Sequence, residues 1–95
     1  MRVLVVEDER RLAENVARAL RESAGYAVDI AGDGAQGLTL ASTDDYDLVV
    51  LDLMLPKLSG QEFLSRYRKQ GHESPVLVLT ARDEKETVVS LLNAG

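Results

Sequence analysis

The chain has 95 residues, a net charge of −5 and no cysteine, and 45% of its residues are apolar. That length fits one small domain, and the absence of cysteine excludes disulfides, thiol nucleophiles and thiolate metal sites. The acidic charge argues against nucleic-acid binding by the chain itself, and no apolar run approaches the roughly 20 residues that cross a bilayer. With no secretion signal either, we expect a cytoplasmic protein without a membrane partner.

The chain begins with a strand pattern followed by a helix pattern. Residues 3–6 are a continuous apolar run rich in β-branched residues, which is typical of a strand buried on both faces. Leu12, Val16 and Leu20 then recur at helical spacing, and Gly25 is the predicted end of that helix. Residues 26–31 alternate more and predict a second, less buried strand.

The middle of the chain repeats this order. Asp33 followed by Gly34 opens a second predicted helix, and residues 48–51 are a second continuous apolar run that predicts the third strand. Ser59 and Glu62 have the spacing of a capping box, which predicts that a third helix begins there.

The last part of the chain adds one more pair. Residues 76–79 predict the fourth strand. Asp83 and Glu86 repeat the capping pattern before an apolar group that predicts a fourth helix, Val88, Val89, Leu91 and Leu92. The resulting order β-α-β-α-β-α-β-α predicts an α/β fold, a parallel sheet with helices on both faces.

Carboxylates follow two of the buried strands. Glu7 and Asp8 come directly after the first strand, and Asp52 comes at the end of the third. Ligands of open α/β sheets bind at the carboxyl ends of the strands, so the three carboxylates converge if the first and third strands are neighbours. The alternative for Asp8 is a helix cap, whereas Asp52 ends an apolar run and is not an ordinary surface acid.

Clustered carboxylates must be protonated, spread apart or bridged by a cation. Two such charges about 4 Å apart repel by roughly 4 kcal/mol at an effective dielectric constant of about 20. An all-oxygen ligand set favours Mg²⁺, Mn²⁺ or Ca²⁺.

Thr80 follows the fourth strand on the same edge, where a hydroxyl can donate to a phosphoryl oxygen, although strand-end threonines without such a role are common. Ala81 is small and would leave the pocket open.

Three motifs occur in order along the chain: VVEDE at residues 5–9, LDLMLP at 51–56 followed by Gly60, and LTAR at 79–82. Taken together they resemble the response-regulator receiver domains of two-component systems, most closely the group with winged-helix DNA-binding output domains. The resemblance covers residues 1–95 as one receiver domain. It implies a flavodoxin-like doubly wound parallel sheet, the receiver (βα)5 fold, truncated here to (βα)4.

The resemblance also implies roles for individual residues. Asp52 would accept a phosphoryl group from a sensor histidine kinase, and Thr80, with Ala81 beside it, would bind the phosphoryl group and act as the switch. Transcription would be controlled through an output domain not in this chain, and only that domain would bind DNA. The ligands of Mg²⁺, or of Mn²⁺ as a substitute, would be Glu7, Asp8, Asp52 and the backbone carbonyl of Met54.

The chain departs from this family pattern at its end. Receivers have five strands and five helices, and the fifth strand brings a lysine that contacts the phosphoryl group. Lys57 and Lys85 lie outside the matching position, so we expect no catalytic lysine in this chain and impaired phosphorylation. Without a fifth strand and helix, the domain would be incomplete. The exposed edge of the fourth strand, with the fourth helix, would then favour a homodimer or a segment swap.

Two other functions are weighed against this one. A receiver-like interaction module that is not phosphorylated is favoured by the missing lysine. An aspartate-nucleophile phosphatase is disfavoured, because such enzymes need a second acid two residues after the nucleophile and Met54 occupies that position. His72 lies in a turn-like loop and is predicted to be a surface residue, not a base. We therefore expect a signalling domain and not an enzyme.

Overall fold

The computed structural model describes residues 1–55, 57–81 and 87–92, with the backbone alone for 80, 81 and 87–92. In chain order its elements are β1 (Arg2–Val6), α1 (Arg10–Ala24), β2 (Ala27–Ala31), α2 (Gly34–Thr43), β3 (Leu48–Asp52), α3 (Gly60–Lys69), β4 (Val76–Ala81) and β5 (Thr87–Leu92).

Four strands form the predicted parallel sheet. They lie in the order β2-β1-β3-β4, and each neighbouring pair runs parallel. β1 and β3 are therefore neighbours at the centre of the sheet. Residues 3–6 of β1 are fully buried, as their continuous apolar run predicts for a strand covered on both faces.

Separate apolar clusters cover the two faces of the sheet. α1 packs on one face, where Ala13 lies in the same buried cluster as Val3. α2 and α3 pack on the other, where Phe63 lies with Leu4 and Val6. Alternate residues of β1 thus point to opposite faces, and the predicted helices on both faces are confirmed.

Side chains cap the helices that frame the site. Asp33 accepts a hydrogen bond from the backbone of Gln36 at 2.7 Å and begins α2. Ser59 accepts one from the backbone of Glu62 at 3.1 Å and begins α3. α1 ends at Gly25 with a φ of 69°, a left-handed conformation that side chains with a Cβ disfavour. These three boundaries agree with the sequence-based predictions.

The predicted fourth helix is wrong over residues 87–92. These residues form β5, which pairs antiparallel with β4 in a register that joins Leu79 to Val89 and Thr80 to Val88. Thr87, Val88 and Val89 are β-branched and favour strands, and pairing also satisfies the backbone groups along the outer edge of β4. Asp83 and Glu86, the predicted cap of that helix, lie outside the described residues.

The pairing of β5 also changes the prediction for association. The outer edge of β4 is covered, so the exposed β4 edge and fourth helix predicted as a dimer surface are not present in the described sheet. The sheet ends at β2 on one side and at β5 on the other.

Among the helices that are described, none has both the length and the apolar character needed to cross a membrane.

A polar network ties together the edge of the sheet opposite the acidic residues. The buried Tyr46 hydroxyl donates to Asp29 Oδ2 at 2.8 Å, and the Arg2 guanidinium donates to the same oxygen at 3.1 Å. The backbone N–H of Arg2 also donates to Asp47 at 2.7 Å. Because Tyr46 and Arg2 both stabilise its charged form, the pKa of Asp29 is lowered. Burial, and then the bond to Asp29, raises the pKa of Tyr46 to about 12.

We expect Tyr46→Phe to reduce the free energy of unfolding by about 1 kcal/mol near neutral pH, the usual net contribution of one such hydrogen bond. The lowered pKa of Asp29 means that its stabilisation is present above the ordinary value of 3.8 and is lost as pH falls through the folded-state value. The difference between wild type and Tyr46→Phe should therefore narrow below about pH 4.

Urea denaturation across this pH range measures the effect. Tyr26→Phe is the matched control, because Tyr26 is half-buried and its hydroxyl has no hydrogen-bond partner within the described part of the chain. Equal losses for the two variants would contradict a specific contribution of the Tyr46–Asp29 bond.

Candidate metal centre

Three carboxylates meet at the carboxyl ends of β1 and β3. Glu7 and Asp8 follow β1, and Asp52 is the last residue of β3. One ligand oxygen from each lies within 4.8 Å of those of the other two. The predicted convergence of Glu7, Asp8 and Asp52 is therefore what the structure shows.

Glu7 is the buried member of this acidic cluster. Its side chain is 3% exposed, and its carboxylate accepts a hydrogen bond from the Glu9 backbone at 3.1 Å. Burial, against the opposing effect of the Glu9 N–H and with a further contribution from the neighbouring Asp52 and Asp8, raises the pKa of Glu7 to about 8. A bound cation would reverse this balance, because it stabilises the charged form.

Asp8 is exposed and does not cap α1. The N-cap is Glu9, whose side chain accepts a hydrogen bond from the Leu12 backbone at 3.3 Å. The alternative interpretation of Asp8 as a helix cap is therefore wrong. Asp8 has no capping role in the structure, and its carboxylate is directed to the cluster.

Asp52 is half-buried and is held by the turn that follows it. Its Oδ1 accepts a hydrogen bond from the Met54 backbone N–H at 2.9 Å. The Met54 side chain is 71% exposed, so this residue contributes to the site through its backbone. That the Met54 carbonyl binds a metal ion stays a prediction.

Gly60 touches this turn. It belongs to the sequence motif around Asp52, but this contact was not predicted from the sequence. A Cβ built on Gly60 would lie 2.7 Å from the carbonyl oxygen of Asp52 and 2.6 Å from the Cα of Leu53. The available signal was a glycine directly after the predicted cap Ser59, a few residues beyond Asp52. Nothing local indicated which backbone it would approach.

Thr80 and Ala81 are the last two residues of β4. They therefore lie at the carboxyl ends of the parallel strands, as the acidic cluster does. Leu79 pairs with Asp52 across β3 and β4, so the Thr80 backbone follows directly after that pair. The side chains of Thr80 and Ala81 are outside what the structure describes, and Lys85 is outside it altogether. Lys57 is exposed, with a φ of 64°.

Open space adjoins the acidic cluster. A cavity of about 410 Å³ is lined by Glu7 and Asp8 together with residues of α1 and of the turn between β2 and α2. This volume greatly exceeds the roughly 30 Å³ that one water molecule occupies in the liquid. The cavity therefore has room for a hydrated cation beside Glu7 and Asp8.

His72 has no place in this site. It follows α3, which returns the chain to the opposite edge of the sheet before β4. Its ring is half-buried and stacks on Tyr67 with ring centroids 4.5 Å apart. His72 is thus more buried than predicted, and it is remote from the carboxyl ends of the strands.

The chemistry open to this cluster follows from its oxygens and its burial. Three carboxylates that share one small volume suit a hard divalent cation that prefers oxygen ligands. Asp52 is half-buried and keeps some access to solvent, and a buried acid such as Glu7 resists ionisation unless a cation is bound.

Comparison with known proteins gives a consistent family. Residues 3–95 match the family model described as the response regulator receiver domain. The transcriptional regulatory protein DltR of Streptococcus agalactiae is 48% identical over 95 residues, which are 100% of this chain and 42% of DltR. The response regulator MprA of Mycobacterium avium is 43% identical over 95 residues, which are 41% of MprA. The chain thus spans less than half the length of these curated relatives.

Solved structures share the fold. The Thermotoga maritima response regulator TrrA, in complex with Mg²⁺ and BeF, superposes with a TM-score of 0.79 and 36% identity, over 86% of this chain and 70% of TrrA. Chemotaxis protein CheY4 of Vibrio cholerae superposes with a TM-score of 0.82 and 30% identity, over 88% of this chain and 71% of CheY4. The predicted flavodoxin-like parallel sheet is therefore confirmed.

We expect metal-free Glu7→Gln to become more stable relative to metal-free wild type as pH rises. The folded state keeps the Glu7 proton up to about pH 8, whereas an ordinary glutamate loses it near 4.5. Wild type should therefore lose up to about 1.4 kcal/mol of unfolding free energy per pH unit across that window, and Glu7→Gln should not.

Urea denaturation in the presence of a chelator measures this difference at several pH values. Glu22→Gln is the control, because it makes the same charge change at an exposed position on α1. Identical pH profiles for wild type and Glu7→Gln would show that the raised pKa of Glu7 is wrong.

Proposed function

We propose, because the chain belongs to the response regulator receiver domain family, that Asp52 is the residue that accepts the phosphoryl group. The observation that carries this proposal is the meeting of Asp52 with Glu7 and Asp8 within 4.8 Å at the carboxyl ends of β1 and β3. Receiver domains are signalling modules, and the proposed donor is a phosphohistidine of a sensor histidine kinase.

The transfer needs little covalent chemistry from the protein. An Asp52 oxygen attacks phosphorus, the bond from phosphorus to the histidine nitrogen breaks, and its electron pair stays on the imidazole of the kinase. The remaining requirements are positioning and charge stabilisation. The Met54 N–H contributes to positioning, because it donates to Oδ1 of Asp52 at 2.9 Å.

Mg²⁺ is the proposed cofactor, with Mn²⁺ as a substitute. The donor set fits, because Glu7, Asp8 and Asp52 supply only carboxylate oxygens and Mg²⁺ keeps several waters that a phosphoryl oxygen can replace. When bound, the ion would neutralise charge on the transferring oxygens. Asp8 and Asp52 are the proposed direct ligands, Glu7 would act mainly through water, and the Met54 carbonyl would complete the set.

Thr80 is the proposed switch. Its backbone follows the residue that pairs with Asp52, so a hydroxyl at this position can donate to a phosphoryl group on Asp52. Ala81 beside it is the small neighbour that leaves room for the phosphoryl oxygens. The readout would be a rearrangement around the end of β4.

The output of the whole protein is also a proposal. DltR is named a transcriptional regulatory protein, and this chain spans 42% of its length. We propose that residues 1–95 act as one receiver domain that controls transcription through a separate DNA-binding output domain. A cytoplasmic location is part of the same proposal.

A receiver-like interaction module is the second candidate function. One observation favours it: the outer edge of β4 is paired with the antiparallel β5, where the family pattern places a parallel strand that begins with the phosphoryl-binding lysine. Such a module would use the receiver surface for binding without phosphorylation. The experiment below separates the two candidates.

Beryllofluoride with Mg²⁺ mimics a phosphoryl group on aspartate and tests the proposal directly. We expect backbone amide shifts at Glu7, Asp8, Met54 and Thr80 in the wild-type protein, measured by NMR, and no such response in Asp52→Asn. Asp45→Asn is the control, since Asp45 is exposed between α2 and β3 and should respond as wild type does.

The same spectra decide between the candidates. A wild-type protein that is folded and yet shows no amide shifts with Mg²⁺ and beryllofluoride would support the interaction module and contradict the phosphoacceptor.

A further inference from the structure

We propose that Gly60 is a positioning residue for the phosphoacceptor Asp52. It can take this role because it has no side chain. The inference rests on the proposed function of Asp52. Gly60 is the buried first residue of α3. It allows this helix to begin directly against the backbone of Asp52 and Leu53, and this contact fixes the turn that holds the reacting carboxylate.

The contact leaves no space for a methyl group. A Cβ on Gly60 would meet Leu53 Cα at 2.6 Å, the Asp52 carbonyl oxygen at 2.7 Å and Leu53 Cδ2 at 3.0 Å. Two of these atoms belong to the backbone and cannot rotate away as the end of a side chain can. A substitution must therefore move either the start of α3 or the turn after β3.

The requirement at Gly60 is one of space and not of backbone conformation. The described glycines with positive φ are Gly25 and Gly71, so Gly60 has a backbone that other residues adopt freely. A larger residue at this position is excluded by the nearby atoms of Asp52 and Leu53.

Both sides of the contact are otherwise fixed. On the helix side, the Ser59 side chain accepts from the Glu62 N–H at 3.1 Å and determines where α3 begins. The Gly60 N–H donates to the Leu53 carbonyl at 3.3 Å, which links the helix to the turn. A displacement forced at Gly60 therefore passes into the turn that contains Leu53 and Met54.

The displaced turn contains the groups that set the geometry of the site. The Met54 N–H holds Oδ1 of Asp52 at 2.9 Å, and the Asp52 carbonyl is itself in the contact. Outer contacts that orient a metal ligand commonly change affinity by about 10–100-fold when they are lost. The backbone contact of Gly60 is such an orienting contact.

Gly37 provides a matched comparison within the same core layer. A Cβ on Gly37 would meet Phe63 Cε1 at 2.9 Å and Val6 Cγ2 at 3.1 Å, so Gly37→Ala also inserts a methyl group into tight packing beside α3. The atoms that it meets belong to side chains and not to the turn after Asp52. It should cost stability and leave the site geometry unchanged.

The test compares Gly60→Ala, Gly37→Ala and wild type by three measurements. These are the unfolding free energy, the Mg²⁺ dissociation constant from calorimetry, and the Met54 amide chemical shift in metal-free protein. We expect both variants to be less stable. Only Gly60→Ala should weaken Mg²⁺ binding, by about tenfold or more, and only Gly60→Ala should shift the Met54 amide.

Each outcome decides the matter. Wild-type Mg²⁺ affinity and an unchanged Met54 amide in Gly60→Ala would overturn the proposal, and so would equal losses of affinity in both variants. If Gly60→Ala does not fold in buffer, trimethylamine N-oxide restores the folded state and the same measurements are made there. If the Met54 amide shifts in Gly60→Ala but the wild-type protein does not respond to Mg²⁺ and beryllofluoride, the phosphoacceptor function is refuted and the positioning contact is retained. The proposal requires both the positioning contact and the phosphoacceptor function, so that result would contradict it.

Discussion

The parallel pairing of β1 with β3 is the interaction on which the candidate site depends. Its register joins Val6 to Leu51, so the next positions along the two strands are Glu7 and Asp52. Parallel strands end on the same side, and their apolar residues are buried under helices on both faces. The core therefore fixes two carboxylates side by side, although their mutual repulsion opposes this arrangement.

The cost of that arrangement explains the character of the site. Glu7 is almost fully buried and has a pKa raised to about 8, which is unfavourable for a carboxylate at neutral pH. A folded domain tolerates such a group when the surrounding packing is strong enough to hold it. The burial and repulsion that oppose ionisation of Glu7 would be offset by a divalent cation, which stabilises the charged form.

Two further contacts determine how Asp52 is presented. The Met54 N–H orients its carboxylate from within the turn, and Gly60 supports that turn from behind through contact with backbone atoms. On the far side of the sheet, β5 satisfies the outer edge of β4, whose last residues include Thr80. The site thus draws on the turn after β3, the start of α3 and the end of β4, and each of these is fixed by backbone contacts.

The sequence by itself determined the alternating strands and helices from β1 to β4, the helix starts at Asp33 and Ser59, and the acids that follow the buried strands. These features depend on local periodicity and on hydrogen bonds within one turn, which a single segment contains. Tertiary structure decided the rest. It made Glu9 the cap of α1 in place of Asp8, buried Glu7, and brought Gly60 against Asp52. It also turned residues 87–92 from the predicted helix into a strand, because pairing with β4 outweighs the helical spacing of the same apolar residues.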